Sequence, residues 1–223
     1  MRLFRSAQKE TSILLKLAIP AMITQLSMVL VNIVDTMFIG RLGALEIGAS
    51  AVTGLIIFNI TAVGDGFSTG MVATIARMIG EKDKKNASVF STTGIIILVL
   101  LGLVLTPVLL LGAPYIFSFM RLPLDLLDTA WEYYSVFISF VPVIFAFLAL
   151  SASFRARGDT KTPMLVGFGM NILNIFLDWV LIFGKFGFPA MELRGAALAS
   201  GLSFLAGSIF LGFISIYSTK GLL

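Results

Sequence analysis

The chain has 223 residues, of which 58% are hydrophobic and only 13% are charged. Soluble domains average about 25% charged residues, and a chain this short cannot hide so much apolar surface in one water-soluble core. These values exclude an ordinary soluble enzyme, a nucleic-acid-binding protein and a disordered protein. The sequence also lacks cysteine and histidine, which excludes thiol chemistry, the usual zinc sites and Ser-His-Asp catalysis within this chain.

Six apolar stretches are long enough to cross a bilayer, whose hydrocarbon core of about 30 Å needs about 20 helical residues. The sequence therefore predicts an all-α polytopic membrane protein. A cytoplasmic N-terminal segment, residues 1–12, is expected to precede a six-helix transmembrane lobe, residues 13–223. The spans are expected near 14–39, 48–76, 88–112, 131–154, 163–184 and 195–218.

The basic residues predict the orientation of this bundle. With six spans both termini lie on one side, and twelve of the sixteen Lys and Arg residues fall on that side. The four on the other side are Arg41, Arg121, Lys185 and Arg194. Basic loops stay in the cytoplasm, so we expect a multi-pass inner-membrane protein with both termini cytoplasmic.

Three carboxylates lie inside predicted spans: Asp35, Asp65 and Asp178. An Asp at the centre of a membrane helix costs ~2.5–3.5 kcal/mol on insertion scales, and such residues usually face a polar interior and act on ions or protons. The alternative is a residue that reaches water from a helix end or makes a structural hydrogen bond. By helical rise, Asp35 and Asp178 share the half of the bilayer away from the termini, whereas Asp65 lies in the other half.

Helical periodicity places polar groups on two faces. In the fifth span one stripe contains Gly167, Asn171, Asn174 and Asp178. In the first span one broad face contains Thr24, Met28, Asn32 and Asp35, with Pro20 at its edge. We expect these two faces to pack together around a shared polar cavity.

Two coupling chemistries are open for such a cavity. Carboxylate and amide oxygens suit a hard cation such as Na⁺. Two desolvated carboxylates placed close together also repel, so that one would take up a proton. Pro20 removes a backbone hydrogen bond and favours a kink, which is either a hinge or a static bend.

Several motifs resemble one known family. The stretch LAIPAMITQLSMVLVNIVDTMFIGRLGALEIGA resembles the first helix and loop of the multidrug and toxic compound extrusion (MATE) family. ARMIGEKDKKNA is similar to its second-to-third loop, RARGDTKTPM to its fourth-to-fifth loop, NILNIFLDWVLIFG to its fifth helix and GAALAS to the start of its sixth. The five motifs occur in order and together cover nearly the whole chain.

The resemblance implies one six-helix lobe of a twelve-helix antiporter that expels amphipathic, often cationic compounds. It implies a coupling site for Na⁺ or H⁺, with no other cofactor. Asp35, Asn174 and Asp178 match the family's cation site, Ser200 falls near a hydroxyl ligand on the sixth helix, and Pro20 matches the bending proline. Asp65 matches no family ligand and is expected to line an inner vestibule.

The expected partners are the lipid bilayer, a small-molecule substrate and a second lobe. The family's substrate cavity lies between two lobes, so the second lobe would be either a missing C-terminal half or a second copy of this chain. A half expressed alone could also be inactive. Parallel repeats of this kind build other transporters. No nucleic acid is expected.

Two rival functions are open. An intramembrane aspartic protease would need the motifs Gly-x-Gly-Asp and Tyr-Asp. The first is absent, because Ala62, Val63 and Gly64 precede Asp65, and the second is absent, because Val34 precedes Asp35. A flippase for lipid-linked sugars, from the superfamily that shares this architecture, would need cationic side chains in the cavity, and the spans contain essentially none. We therefore expect a transporter and not an enzyme.

Overall fold

The computed structural model describes residues 2–217, including the side chains of residues 18–19 and 22–217. This part of the chain forms seven α-helices and one short 3₁₀ helix, Leu124–Leu126, without a β-strand. The α-helices are α1 (Arg2–Gly40), α2 (Ala44–Gly80), α3 (Lys84–Phe119), α4 (Leu127–Ser139), α5 (Val141–Ala156), α6 (Lys161–Phe183) and α7 (Glu192–Tyr217).

The helices provide six candidate membrane spans. In the described residues α1, α2, α3, α6 and α7 are each long and apolar enough to cross a bilayer, and α4 with α5 forms one further span that is bent by 45°. The predicted all-α polytopic class is confirmed. The far end of the bundle carries residues 41–43, 120–126 and 184–191, and the near end carries residues 81–83 and 157–160.

The perimeter of the bundle is apolar. Large side chains such as Phe58, Leu111 and Phe119 are 70%, 79% and 90% exposed. Contiguous apolar surface of this kind marks contact with lipid or with another protein. The exposure therefore fits a lobe that lies in a bilayer.

The bend in the fourth span follows from Pro142. A proline has no N–H, so the carbonyl of Ile138, four residues earlier, loses its helical partner. The Thr106 hydroxyl on α3 lies within hydrogen-bonding distance of that carbonyl, at 3.2 Å, and of the Gly102 carbonyl of its own helix, at 2.9 Å. Gly102, one turn earlier on α3, allows this approach, because a Cβ there would lie 2.6 Å from the Pro142 Cα. The bend is thus held by α3.

Glycines bring α7 close to its neighbours. A Cβ at Gly195 would lie 2.8 Å from the Leu181 carbonyl oxygen on α6, and one at Gly201 would overlap the Phe140 ring at the bend. Small residues at such crossings let membrane helices approach closely. This packing places Ser200, next to Gly201, against α6.

We expect Thr106→Val to lower the free energy of unfolding by about 0.5–1.5 kcal/mol, because it removes the hydrogen bond from α3 to the Ile138 carbonyl and leaves that carbonyl only the Phe140 N–H. Denaturant or thermal unfolding of the purified protein in detergent measures this. Thr61→Val is the matched control, since the Thr61 hydroxyl bonds only to carbonyls of its own helix. Equal losses in the two variants would contradict the role of Thr106 at the bend.

Candidate functional site

Helices α1 and α6 face each other along much of their length. Thr24 lies opposite Gly167, where an added Cβ would be 3.9 Å from the threonine methyl group. Farther along, the carboxyl group of Asp35 faces that of Asp178 at hydrogen-bonding separation. Thr24 and Asp35 differ by only about 20° around the helix, so both turn toward α6.

Three of the four carboxylate oxygens of the aspartate pair are buried and have no donor among the described residues. Asp178 is fully buried. Neither of its carboxylate oxygens, nor Oδ1 of Asp35, has a hydrogen-bond partner among the described residues. Two ionised carboxylates repel each other, because both are negatively charged and neither has a hydrogen to donate. If one of them takes up a proton, it can donate a hydrogen bond to the other. A buried acceptor without a donor is costly, so this pair is a place where a cation would be stabilised.

Asn174 and Ser200 extend the polar site across to α7. The Asn174 side chain is buried, and its Nδ2 donates to Ser200 Oγ at 3.4 Å. This bond uses the amide nitrogen and leaves the amide oxygen of Asn174 as an acceptor. Asn171, one turn closer to the near end, is half-buried at the edge of the stripe. The structure thus collects carboxylate, amide and hydroxyl oxygens within one part of the bundle.

Aromatic side chains enclose the aspartate pair. Beyond it toward the far end, the rings of Phe38 and Phe183 meet edge to face, with centroids 5.7 Å apart. The α4 residue Tyr133 lies within electrostatic range of both aspartates. Sequence reasoning missed these three residues. The available signal was the Tyr133–Tyr134 doublet in the fourth span, since tyrosines there carry polar groups into an apolar helix.

Other predicted residues lie away from this pair. Met28 and Asn32, which the sequence placed on the same broad face as Thr24 and Asp35, are exposed. Asp65 is exposed on α2, within electrostatic range of Arg155 on α5. α1 continues as a helix through position 20, but the side chain of Pro20 is outside the described residues.

The site contains two carboxylates. Among the residues that the structure describes, no group of three or more acidic, histidine or cysteine side chains comes together to form a metal cluster. The described fold and site define a multi-pass membrane protein with an enclosed ionisable pair inside its helix bundle.

Known proteins share this architecture. The family model MatE matches residues 20–180. A relative named "Probable multidrug resistance protein NorM", from Thermotoga maritima, is 34% identical over 201 residues, which are 90% of this chain and 43% of the relative. The "FAD transporter" of Shewanella oneidensis is 26% identical over 204 residues, which are 92% of this chain and 45% of that protein.

A solved structure agrees with these relatives. An outward-facing multidrug resistance MATE family transporter of the MOP superfamily superposes with a TM-score of 0.87 at 26% identity, covering 95% of this chain and 46% of that one. The chain spans less than half the length of these relatives. It belongs to the MatE family and corresponds to one lobe of the longer proteins.

We expect Asp35→Asn to raise the free energy of unfolding by about 1–2 kcal/mol in Na⁺-free buffer at a pH high enough to ionise both aspartates of the wild type, because the new amide donates to Asp178 in place of a repelling carboxylate. Thermal unfolding in detergent tests this. Asp65→Asn is the control, since it removes a charge that faces Arg155 and no other carboxylate. A loss of stability in Asp35→Asn alone would contradict the repulsion.

Proposed function

We propose that this chain is one lobe of a cation-coupled efflux antiporter that binds its coupling cation, Na⁺ or H⁺, between α1 and α6. One observation carries the proposal: Asp178 is fully buried beside Asp35, and its two carboxylate oxygens have no donor among the described residues. Ionisable residues within membrane spans typically mark ion pathways and proton relays.

The same oxygens could hold either ion. For Na⁺, the ligands would come from Asp35, Asp178 and the amide oxygen of Asn174, with Ser200 as a further hydroxyl ligand, since hard cations prefer oxygen. Asn171 would extend this polar surface toward the near end. For H⁺, the two facing carboxyl groups would share one proton. In both cases the arriving charge removes the repulsion between the aspartates.

Coupling requires that the ion bind two conformations of the lobe with different affinity. Neutralisation of the pair would let α1 move relative to α6, with Pro20 as the hinge. That movement would change the shape of the substrate cavity and release the substrate. Each charge that crosses the full membrane field contributes about 2.3 kcal/mol per 100 mV.

A second lobe would complete the transporter. The relatives are more than twice as long as the matched region. Asp65 is exposed on a helix long enough to span the membrane, a position that lipid disfavours. We therefore place Asp65 in an inner vestibule that faces the second lobe, which is either a C-terminal half or a second copy.

The charge distribution supports the membrane orientation. The basic loops at residues 81–85 and 155–161 lie at the near end. Because basic loops remain cytoplasmic, the near end and both termini would face the cytoplasm of an inner membrane. The far end, closer to the aspartate pair, would then receive the incoming cation.

The substrate is proposed to be amphipathic and cationic or neutral. The ionisable side chains Asp35, Asp65 and Asp178 are acidic, and Arg155, the basic side chain that faces Asp65, offsets one of these charges. The relative from Thermotoga maritima is named for multidrug resistance, which agrees with such a substrate. A flippase for lipid-linked sugars is the alternative, but it would need cationic groups to hold a pyrophosphate.

We expect Asp35→Asn to abolish gradient-driven efflux of a cationic dye from proteoliposomes while the protein remains folded, because an amide cannot be neutralised by the coupling ion. The chain should be tested alone and as a tandem of two copies, so that dependence on a second lobe is measured directly. Asp125→Asn, which neutralises an exposed acid outside the helix bundle core, should retain efflux. Full efflux by Asp35→Asn would refute the coupling role.

We expect the coupling ion to stabilise the wild-type protein but not Asp178→Asn. With Na⁺ coupling, the unfolding temperature should rise with Na⁺ concentration at fixed pH and ionic strength. At a Na⁺ concentration 100 times the Kd, the free energy of unfolding should be higher by about 2.7 kcal/mol. With H⁺ coupling, Na⁺ should have no effect, and on acidification the wild type should take up more protons than the variant, in which Asp35 has no facing carboxyl group with which to share a proton. Absence of both responses would contradict an ion site at this pair.

A further inference from the structure

A second polar cavity lies at the far end of the bundle, away from the aspartate pair. Its volume is about 510 Å³, and it lies between the end of α3 and the start of α4. One wall carries Arg121 and Asp128, and the remainder includes Trp131, Phe117 and Leu124. The cavity therefore combines both signs of charge with an apolar floor.

The cavity lies at the depth of the lipid headgroups. Helix α3 has 36 residues and is about 54 Å long, whereas a bilayer with its headgroups is about 40–45 Å thick. The end of α3 therefore reaches the bilayer surface. Tyr115 and Trp131, which flank the cavity, are exposed aromatic residues of the type that collects at this surface.

The two charged side chains do not neutralise each other. Arg77–Glu81 is the only ion pair shorter than 4.0 Å among the described side chains, so Arg121 and Asp128 form none. Arg121 also has a φ of 52°, a left-handed conformation that disfavours a side chain with a Cβ. Its amide donates to the Ser118 carbonyl at 3.0 Å, which fixes Arg121 at the end of α3.

We propose that this cavity binds the headgroup of a zwitterionic phospholipid, phosphatidylethanolamine. Arg121 would bind the phosphate, for which a guanidinium provides paired donors. Asp128 would accept hydrogen bonds from the ammonium group, and Trp131 would add a cation–π contact. Phe117 and Leu124 would cover the glycerol and the first acyl carbons. A choline headgroup has no N–H to donate to Asp128, so it fits less well.

This proposal stands independently of ion coupling. The cavity is formed by α3, the 3₁₀ helix and α4, and none of its lining residues belongs to the aspartate site. The bound lipid would fix the lobe at the bilayer surface on the far side. A loss of lipid binding and a loss of efflux are therefore separate results.

Trp131 is a local reporter of the occupant. The chain has two tryptophans, so Trp179→Phe leaves Trp131 as the single fluorophore. The Trp179→Phe variant is reconstituted in phosphatidylcholine vesicles that contain a minor fraction of one brominated lipid: phosphatidylethanolamine, phosphatidylglycerol or phosphatidylcholine. Bromine quenches nearby tryptophan, so quenching measures which headgroup occupies the cavity. We expect brominated phosphatidylethanolamine to quench at a several-fold lower mole fraction than the other two lipids.

Two variants test the charges in the same single-tryptophan protein. Asp128→Asn should abolish the several-fold preference for phosphatidylethanolamine over phosphatidylcholine, because it removes the carboxylate that accepts from the ammonium group. Arg121→Gln should raise the mole fraction at which all three brominated lipids quench, because all three headgroups carry a phosphate. Arg41→Gln and Asp125→Asn make the same charge changes elsewhere at the far end and should retain the preference. If either test variant fails to fold by circular dichroism, the wild-type comparison of the three lipids decides.

Each of the following results would overturn the proposal. Equal quenching by all three lipids would show that the cavity has no headgroup preference. A preference for phosphatidylglycerol that increases in Asp128→Asn would assign an anionic lipid. Displacement of the brominated lipid by millimolar glycerophosphoethanolamine, which lacks acyl chains, would assign a soluble zwitterion. Retention of the preference in Asp128→Asn would equally exclude Asp128 as its cause, and unchanged quenching by all three lipids in Arg121→Gln would exclude Arg121 as the phosphate ligand.

Discussion

The repulsion between the half-buried carboxyl group of Asp35 and the fully buried one of Asp178 is the constraint on which the proposed mechanism depends. Asp35 and Asp178 face each other where α1 meets α6, and the described residues supply no donor to satisfy Asp178. Burial of an unpaired charge is costly, so a cation or proton bound at the pair would relieve this cost. Under the proposed mechanism the stability of this site would change with ion binding, which is the property that an ion-driven device needs.

The surrounding packing maintains this arrangement. Glycines on α7 let it approach α6 closely enough for Ser200 to accept a hydrogen bond from Asn174. The bend at Pro142 gives α4 and α5 different directions, 45° apart. The direction of α4 brings Tyr133 toward the aspartates. Because Thr106 satisfies the carbonyl freed by the proline, the bend carries no unpaired backbone acceptor at Ile138. Proline and glycine therefore shape the site although neither binds the ion.

The lobe has polar features at three separate levels. The aspartate pair is enclosed within the bundle, Asp65 lies exposed near Arg155, and Arg121 with Asp128 lines the cavity at the far end. Each suits a different neighbour: an ion, a second lobe and a lipid headgroup. Because the chain covers less than half the length of its relatives, a partner lobe would cover the surface on which Asp65 is exposed.

The sequence alone determined the membrane class, the six spans and the three acids within them, because hydropathy and charge are local properties. Periodicity also placed Asn174 and Asp178 on one stripe of α6 and placed Asp35 on a polar face of α1. Only the tertiary structure decided that Thr24 and Asp35 meet α6 while Met28 and Asn32 are exposed, since a helical period assigns a face but not the width of its contact. The approach of Tyr133, the Phe38–Phe183 contact and the cavity at Arg121 also depended on the tertiary structure. Each of these three features joins residues from different segments of the chain, and the distances between those residues are set by how the helices cross.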